Sequence, residues 1–222
     1  MDVMNVFWFG HSCFFLKGAR GTSLLLDPFH EEEVGYPLPK VEADIVVVSH
    51  DHLDHNNAEA VGGHPLLIKG PGRHTALGLE FWGVPSYHDE EGGRLRGKNT
   101  IFCFTMDGIR VCHLGDLGHP LSQPEGEAIG PVDLLFLPVG GIYTIDAWGA
   151  DEVMKQLRPA VAVPMHYQTR ALSFELEPVD EFLKGRKVQG PLKSLELKKE
   201  DLGEICKIVL LSCPEAERAA DR

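Results

Sequence analysis

The chain predicts an α/β (α+β) fold in which strands outnumber helices. Short apolar, β-branched runs recur along it, separated by glycine, proline, asparagine and aspartate, which is the pattern of buried strands joined by turns. Several of these runs end in histidine or aspartate, so the expected sheet carries its chemistry at strand ends. With 222 residues, 43% hydrophobic and 24% charged, the chain has the size and composition of one well-buried globular domain. That domain is expected over residues 1–213, followed by a polar tail at 214–222.

Residues 3–9 and 13–17 read as opening strands on either side of Gly10-His11-Ser12, and residues 24–27 as a third, ended by Asp27-Pro28. A loop carrying Glu31, Glu32 and Glu33 then leads to Ile45-Val46-Val47-Val48, a buried strand. A short helix is expected at 56–61, stopped by Gly62-Gly63. Further strands are expected at 66–69 and 79–87, the second delivering His88, before a glycine-rich loop at 89–98 that changes from acidic to basic. Residues 99–106 and 109–114 flank Asp107-Gly108, a hairpin signal, and run into Gly115-Asp116. A strand at 133–137 closes on Pro138-Val139-Gly140-Gly141. Ala147, Ala150, Val153, Met154 and Leu157 form a helical stripe that ends before Pro159. Residues 161–164 enter Met165-His166 as a strand. A short helix around Val179, Phe182 and Leu183 and strands at 195–197 and 208–211 complete the core.

Composition narrows the function. Lys plus Arg is 21 against 33 Asp plus Glu, a net charge of −12, so there is no long-range positive field to draw in nucleic acid or an anionic membrane. No apolar stretch reaches the length of a membrane span. The start lacks a basic run, so no signal peptide and a cytoplasmic location are expected. Five cysteines without a Cys-x-x-Cys pair fit reduced core thiols.

The informative stretch is Ser49-His50-Asp51-His52-Leu53-Asp54-His55, directly after the 45–48 strand. Imidazole and carboxylate are ligands that Zn²⁺, Mn²⁺ and Fe²⁺ accept, and a strand end holds them at fixed distances. Two cations about 3.5–4 Å apart need about three protein ligands each. The inventory supplies His50, His52 and His88 for one, Asp54, His55 and His166 for the other, and Asp116 to bridge them.

His50-x-His52-x-Asp54-His55, a later His88, Asp116 in Gly-Asp and a final His166 resemble the signature of the metallo-β-lactamase superfamily. Gly10-His11-Ser12, His113-Leu114-Gly115-Asp116, Leu137 to Gly141 with Tyr143-Thr144, and Pro164-Met165-His166-Tyr167 look most similar to its ascorbate-6-phosphate lactonase-like branch. The resemblance implies a four-layer αββα sandwich, two mixed sheets with helices outside and metals at one edge. It implies two divalent ions, Zn²⁺ first with Mn²⁺ or Fe²⁺ as alternatives, and hydrolysis by a hydroxide bridging them. Asp54 would orient that nucleophile and carry its proton. The expected substrate is a small, anionic molecule with an ester, lactone or phosphoester bond. Phosphodiester cleavage and a non-catalytic metal-binding module on the same fold are the alternatives. Self-association, frequent in the family, is left open.

Other side chains carry weaker expectations. His11 is placed near the metal face, against substrate or a ligand. Asp27 either hydrogen-bonds a ligand histidine or caps a turn, and His113 either touches a ligand or is a satisfied core histidine. His119 follows the Gly-Asp motif closely enough to reach the cleft. Arg94 and Arg96, with Lys98, either hold a substrate anion or balance Asp89, Glu90 and Glu91 at a solvated tip. Tyr143 either donates to a developing oxyanion or packs in the core.

Overall fold

The computed structural model describes residues 2–203 and 206–213, so the 214–222 tail lies outside the described residues. In chain order the first strands are β1 (Met4–Gly10), β2 (Cys13–Lys17), β3 (Ser23–Leu26), β4 (Ile45–Val48) and β5 (Leu66–Lys69). They are followed by β6 (Gly72–Ala76), β7 (Leu79–Tyr87), β8 (Lys98–Met106), β9 (Ile109–His113) and β10 (Leu134–Pro138). β11 (Val161–Met165), β12 (Val188–Leu192), β13 (Leu195–Leu197) and β14 (Lys207–Leu211) complete the set. The helices are α1 (Glu31–Val34), α2 (Gln123–Ile129), α3 (Ala147–Leu157) and α4 (Asp180–Leu183).

Both sheets are mixed, as expected. The six-stranded one runs β13-β1-β2-β3-β4-β5, antiparallel up to β3 and parallel from there. The eight-stranded one runs β12-β14-β11-β10-β9-β8-β7-β6, parallel up to β9 and antiparallel beyond. The parallel strands β3, β4, β10 and β11 are buried along their whole length, which is why their sequences read as unbroken apolar runs. The sheets meet through side chains such as Phe14 and Phe136, whose rings stack 4.1 Å apart. Asp107 and Gly108 both take positive φ, +51° and +75°, as a two-residue hairpin turn requires.

Several elements depart from expectation. The 56–61 stretch makes only a 3₁₀ turn at Ala58–Ala60, because Gly62-Gly63 and the return toward β5 leave no room for a second turn. β6 and β12 are edge strands with no clean apolar alternation, and Pro191 in β12 fits that edge position. α2 begins with a complete capping box, in which the Ser122 side chain accepts from the Glu125 N–H and Glu125 accepts from the Ser122 N–H. Cys13, Cys112 and Cys213 are buried. Among the described residues no helix is long and apolar enough to cross a membrane.

One polar cluster ties the bottom of the larger sheet together. Asp133 accepts from the Arg110 backbone N–H at 2.8 Å, from Arg110 Nε at 3.0 Å and Nη2 at 2.7 Å, and from Lys199 Nζ at 2.6 Å. Burial alone would raise this carboxyl, but the bonds from Arg110 and Lys199 outweigh it and hold it below the ordinary carboxylate range. A carboxylate depressed in the folded state stabilises the fold above its unfolded pKa of about 3.9, and that contribution disappears as pH falls below it. Both cations are nearly half exposed, which limits the gain to about 1 kcal/mol. Asp133→Asn is therefore expected to lower stability at pH 5 and to flatten its decline toward pH 3 in urea titrations. An identical pH slope in variant and wild type would refute this.

Candidate metal centre

The strand ends converge. β3 and β4 of one sheet, and β7, β9, β10 and β11 of the other, finish along the same rim, where carboxyl ends of parallel strands commonly present binding groups. Asp27 follows β3, His50 to His55 follow β4, His88 follows β7, Asp116 follows β9 and His166 follows β11. The turn between β1 and β2 brings His11 to the same rim. The 49–55 stretch is bent and turned rather than extended, so His50 and His52 stand at a tight corner. Their rings are 4.7 Å apart.

Three groups of donor atoms are close enough to share a cation: His50, His52 and His88; His50, His55 and Asp116; and His11, Asp54, His55 and His166. All seven expected ligands are brought together, and His11 joins them. At the centre is Asp116. Its Oδ2 lies 3.0 Å from His88 Nε2, 3.1 Å from both His55 Nε2 and His166 Nε2, and 3.8 Å from His50 Nε2.

The imidazoles are oriented from behind. His55 Nδ1 donates to Asp27 Oδ2 at 2.9 Å, and His88 Nδ1 donates to the Tyr143 carbonyl at 3.0 Å. His50 Nδ1 lies 2.9 Å from Ser49 Oγ, whose hydroxyl donates to Asp27 Oδ2 at 2.6 Å. Placing the proton on Nδ1 leaves each Nε2 as a lone pair directed into the rim. Nε2 of His55 and of His166, and Oδ1 of Asp116, are buried with no hydrogen-bond partner among the described residues. Lone pairs facing a carboxylate are relieved only by a proton or a cation, so this donor set fits a metal ion.

Charge tells the same story. Burial alone would lower His55, but the Asp116 and Asp54 carboxylates raise it well above the usual histidine range, as a cation placed there would be favoured. Burial, reinforced by the neighbouring His55, lowers His50 to about 3, and burial with His166 lowers His11 to about 4. Neutral imidazoles are the form that ligates.

Asp27 is the hidden hub of the rim. It is fully buried, at φ +43°, and accepts from the Ser49 N–H at 2.7 Å, Ser49 Oγ, His55 and, at 2.9 Å, His113 Nε2. Burial would raise its carboxyl, yet His113 and His55 hold it below the ordinary range. His113 thus reaches a ligand through Asp27. His11 and His166 also sit in the left-handed region, at φ +51° and +50°, a backbone cost concentrated at this rim. Two glycines allow the close packing: a methyl at Gly140 would overlap the His166 carbonyl, and one at Gly118 the His88 backbone.

A cleft of about 370 Å³ opens onto the cluster, lined by Glu33, His52, Asp54, His88, Leu95, Arg96, Asp116, Tyr143, His166 and Phe174. A larger groove of about 560 Å³ along β6 to β9 holds none of the clustered ligands. His11 Nε2 contacts Asp54 Oδ2 at 3.0 Å. Tyr143 lines the cleft and is 38% exposed, which excludes the core alternative. One expectation is corrected, for His119, and for Arg94 the second of two alternatives holds. His119 does not line the cleft; its Nε2 accepts from the Tyr87 N–H at 3.2 Å and its Nδ1 donates to the Pro120 carbonyl, so it braces the turn after Asp116. Arg94 also stays outside, paired with Glu91 at 3.0 Å in solvent, because the loop turns its side chain away from the rim. Sequence reading missed Ser49, whose only signal is its place before His50, and Asn99. Asn99 Oδ1 accepts from the Asp116 N–H at 3.1 Å while its Nδ2 donates to the Leu114 carbonyl, fixing the turn that carries Asp116.

Comparison with known proteins agrees with this geometry. The profile of the beta-lactamase superfamily domain matches residues 5–166. A UPF0173 metal-dependent hydrolase of Archaeoglobus fulgidus is 34% identical, the alignment covering 84% of this chain and 92% of that one. Another, from Thermoplasma volcanium, is also 34% identical, over 76% of this chain and 85% of its own. A Thermotoga maritima crystal structure, assigned as a Zn-dependent hydrolase of the metallo-beta-lactamase superfamily, superposes with a TM-score of 0.80 at 41% identity, covering 94% of this chain and 98% of that one. Profile, relatives and backbone converge with the histidine rim: the chain belongs to the beta-lactamase superfamily, within its UPF0173 group of metal-dependent hydrolases.

Proposed function

We propose that the chain is a dinuclear hydrolase that cleaves an ester, lactone or phosphoester bond of a small molecule. The observation that carries this reading is the position of Asp116 Oδ2 among four imidazole nitrogens, within 3.8 Å of each. One carboxylate shared by two donor groups is what a pair of cations requires. His50, His52 and His88 would hold one ion, and Asp54, His55 and His166 the other, with Asp116 between them; His11 backs the second set through Asp54. Zn²⁺ suits this nitrogen-rich set, and Mn²⁺ or Fe²⁺ are the alternatives. Such ions, when bound, acidify water and polarise the scissile bond.

The chain's own residues supply the rest. Asp54 Oδ2, on the cleft wall and held by His11 Nε2, accepts a proton from the attacking water and passes it toward the leaving group. His88 fixes the Tyr143 main chain, holding the phenol in the cleft lining, where its hydroxyl can donate to an oxygen gaining charge. Phe174 and Leu95 restrict water around the bond. A long nucleic-acid substrate is disfavoured by a cleft with a single lysine or arginine among the described residues, in a chain of net charge −12.

Metal analysis and a hydrolysis screen test the reading together. Purified, reconstituted chain is expected to hold two equivalents of metal, to cleave a member of a panel of lactones, phosphodiesters, thioesters and β-lactams, and to lose that activity with chelator. One equivalent would end the dinuclear assignment. Two equivalents without hydrolysis of any panel member would favour a metal-binding module.

A further inference from the structure

One guanidinium stands at the seam between the cleft and its neighbour. Arg96 lines both the cleft and an adjoining groove of about 470 Å³ that runs past Ile142, Tyr143 and Trp148. Among the described residues it is the only lysine or arginine lining either. Its Nη2 donates to the Ile142 carbonyl at 3.2 Å, and the guanidinium lies 5.4 Å over the Tyr143 ring. Its backbone N–H donates to Asp89 Oδ2 at 2.7 Å. Asp89 is buried and takes three further N–H groups, from Glu91, Gly93 and Leu95, so the loop is wound around one carboxylate.

These contacts fix the cation without neutralising it. A carbonyl and an aromatic face are neutral partners, and Arg96 makes no ion pair among the described residues, whereas Arg94 is paired with Glu91. Of the five donors on a guanidinium, one is engaged. The remaining edge is a rigid fork that matches an oxyanion bidentately. Glu33 lines the cleft, and Asp89, Glu90, Glu91, Asp146 and Glu177 line the adjoining groove, so an anion is held there through direct contact with Arg96 rather than by a broad positive field.

We infer that Arg96, held on the Tyr143 ring, binds an oxyanion of the substrate, a carboxylate or a phosphate, and so selects anionic molecules for the metal centre. This rests on the hydrolytic reading above and gives it a substrate class. The test compares 4-nitrophenyl esters of butyrate, of succinate and of a phosphonopropionate on zinc-loaded chain. Arg96→Ala is expected to lower the ratio of kcat/KM for an anionic over the neutral ester at least about 10-fold, mainly through KM. Arg96→Lys restores part of the ratio, and Arg94→Ala leaves it unchanged. The anionic ester that responds distinguishes carboxylate from phosphate. A ratio unmoved by Arg96→Ala overturns the inference.

A binding readout separates this from the hydrolytic reading. The arginine Nε–Hε resonances of the same zinc-loaded chain are titrated with inorganic phosphate and with succinate. The Arg96 resonance is expected to shift saturably with one of them, and the Arg94 resonance to stay in place. If none of these esters is cleaved, the titration alone decides the anion site, and the hydrolytic reading stands or falls on the wider panel; no Arg96 shift with either ion overturns the inference.

Discussion

Asp54→Ala is expected to lower kcat by roughly 10²–10⁴-fold while leaving the fold intact. Asp54 stands on the cleft wall, with its Oδ2 3.0 Å from His11 Nε2 and 3.6 Å from His55 Nε2. Burial would raise its carboxyl, but His55 and the bond from His11 hold it well below the ordinary range, so it is ionised at any working pH and gives up a captured proton readily, as a relay to the leaving group requires. Its side chain is 20% exposed, and its loss takes one ligand from the second set and the bond from buried His11 Nε2, so a modest fall in melting temperature and metal content is expected beside the loss of rate. Asp54→Asn keeps the shape without the charge and should lose nearly as much rate if proton transfer is the role. Turnover numbers, metal content and thermal melts on the three proteins check this. Wild-type turnover in Asp54→Ala with full metal content would remove Asp54 from the chemistry.

The largest stability effect is expected at Asp27, a residue outside the cleft. Asp27→Ala strips the shared acceptor from Ser49, His55 and His113, all of them buried. Removing one partner from a buried charged network costs about 3–5 kcal/mol, because the others are left without compensation. Freed from its anchor, His55 loses its orientation toward Asp116, and loss of such an outer contact typically weakens metal binding by about 10–100-fold. Asp27→Asn separates the two consequences. Asparagine tolerates the left-handed backbone at φ +43°, yet its amide nitrogen cannot accept from the imidazoles. It should therefore recover part of the stability and little of the metal affinity. Urea unfolding with and without metal, and competition with a chelator of known affinity, measure both. A loss under 1 kcal/mol in Asp27→Ala would show that the network is dispensable.

The two expectations differ in origin. Asp54 sits in a local motif, where three histidines and two aspartates within six residues announce their chemistry. Asp27 precedes His55 by 28 residues and His113 by 86, and no local pattern links them. The same contrast runs through the fold. β4, β10 and β11 are buried on both faces, so their sequences are uniformly apolar and legible. β6, Gly-Arg-His-Thr-Ala, is a strand because β7 offers it a free edge, and its own residues do not favour the extended form. For α2 the signal was present, in Ser122 and Glu125, but seven residues around a glycine gave no stripe to support it.

Arg94 and Arg96 make the limit plain. Two residues apart on one glycine-rich loop, they are equivalent in sequence, and only the fold sends one to solvent and the other over Tyr143 at the metal cleft. The sequence by itself determined which chemical groups are available and on which strand ends they stand, because ligand type and burial pattern are local properties. The tertiary structure decided which of them share a site, which back the others, and which face away. Those outcomes depend on the pairing of two sheets through contacts between distant residues, and on backbone turns at His11, Asp27 and His166 that only the assembled rim enforces.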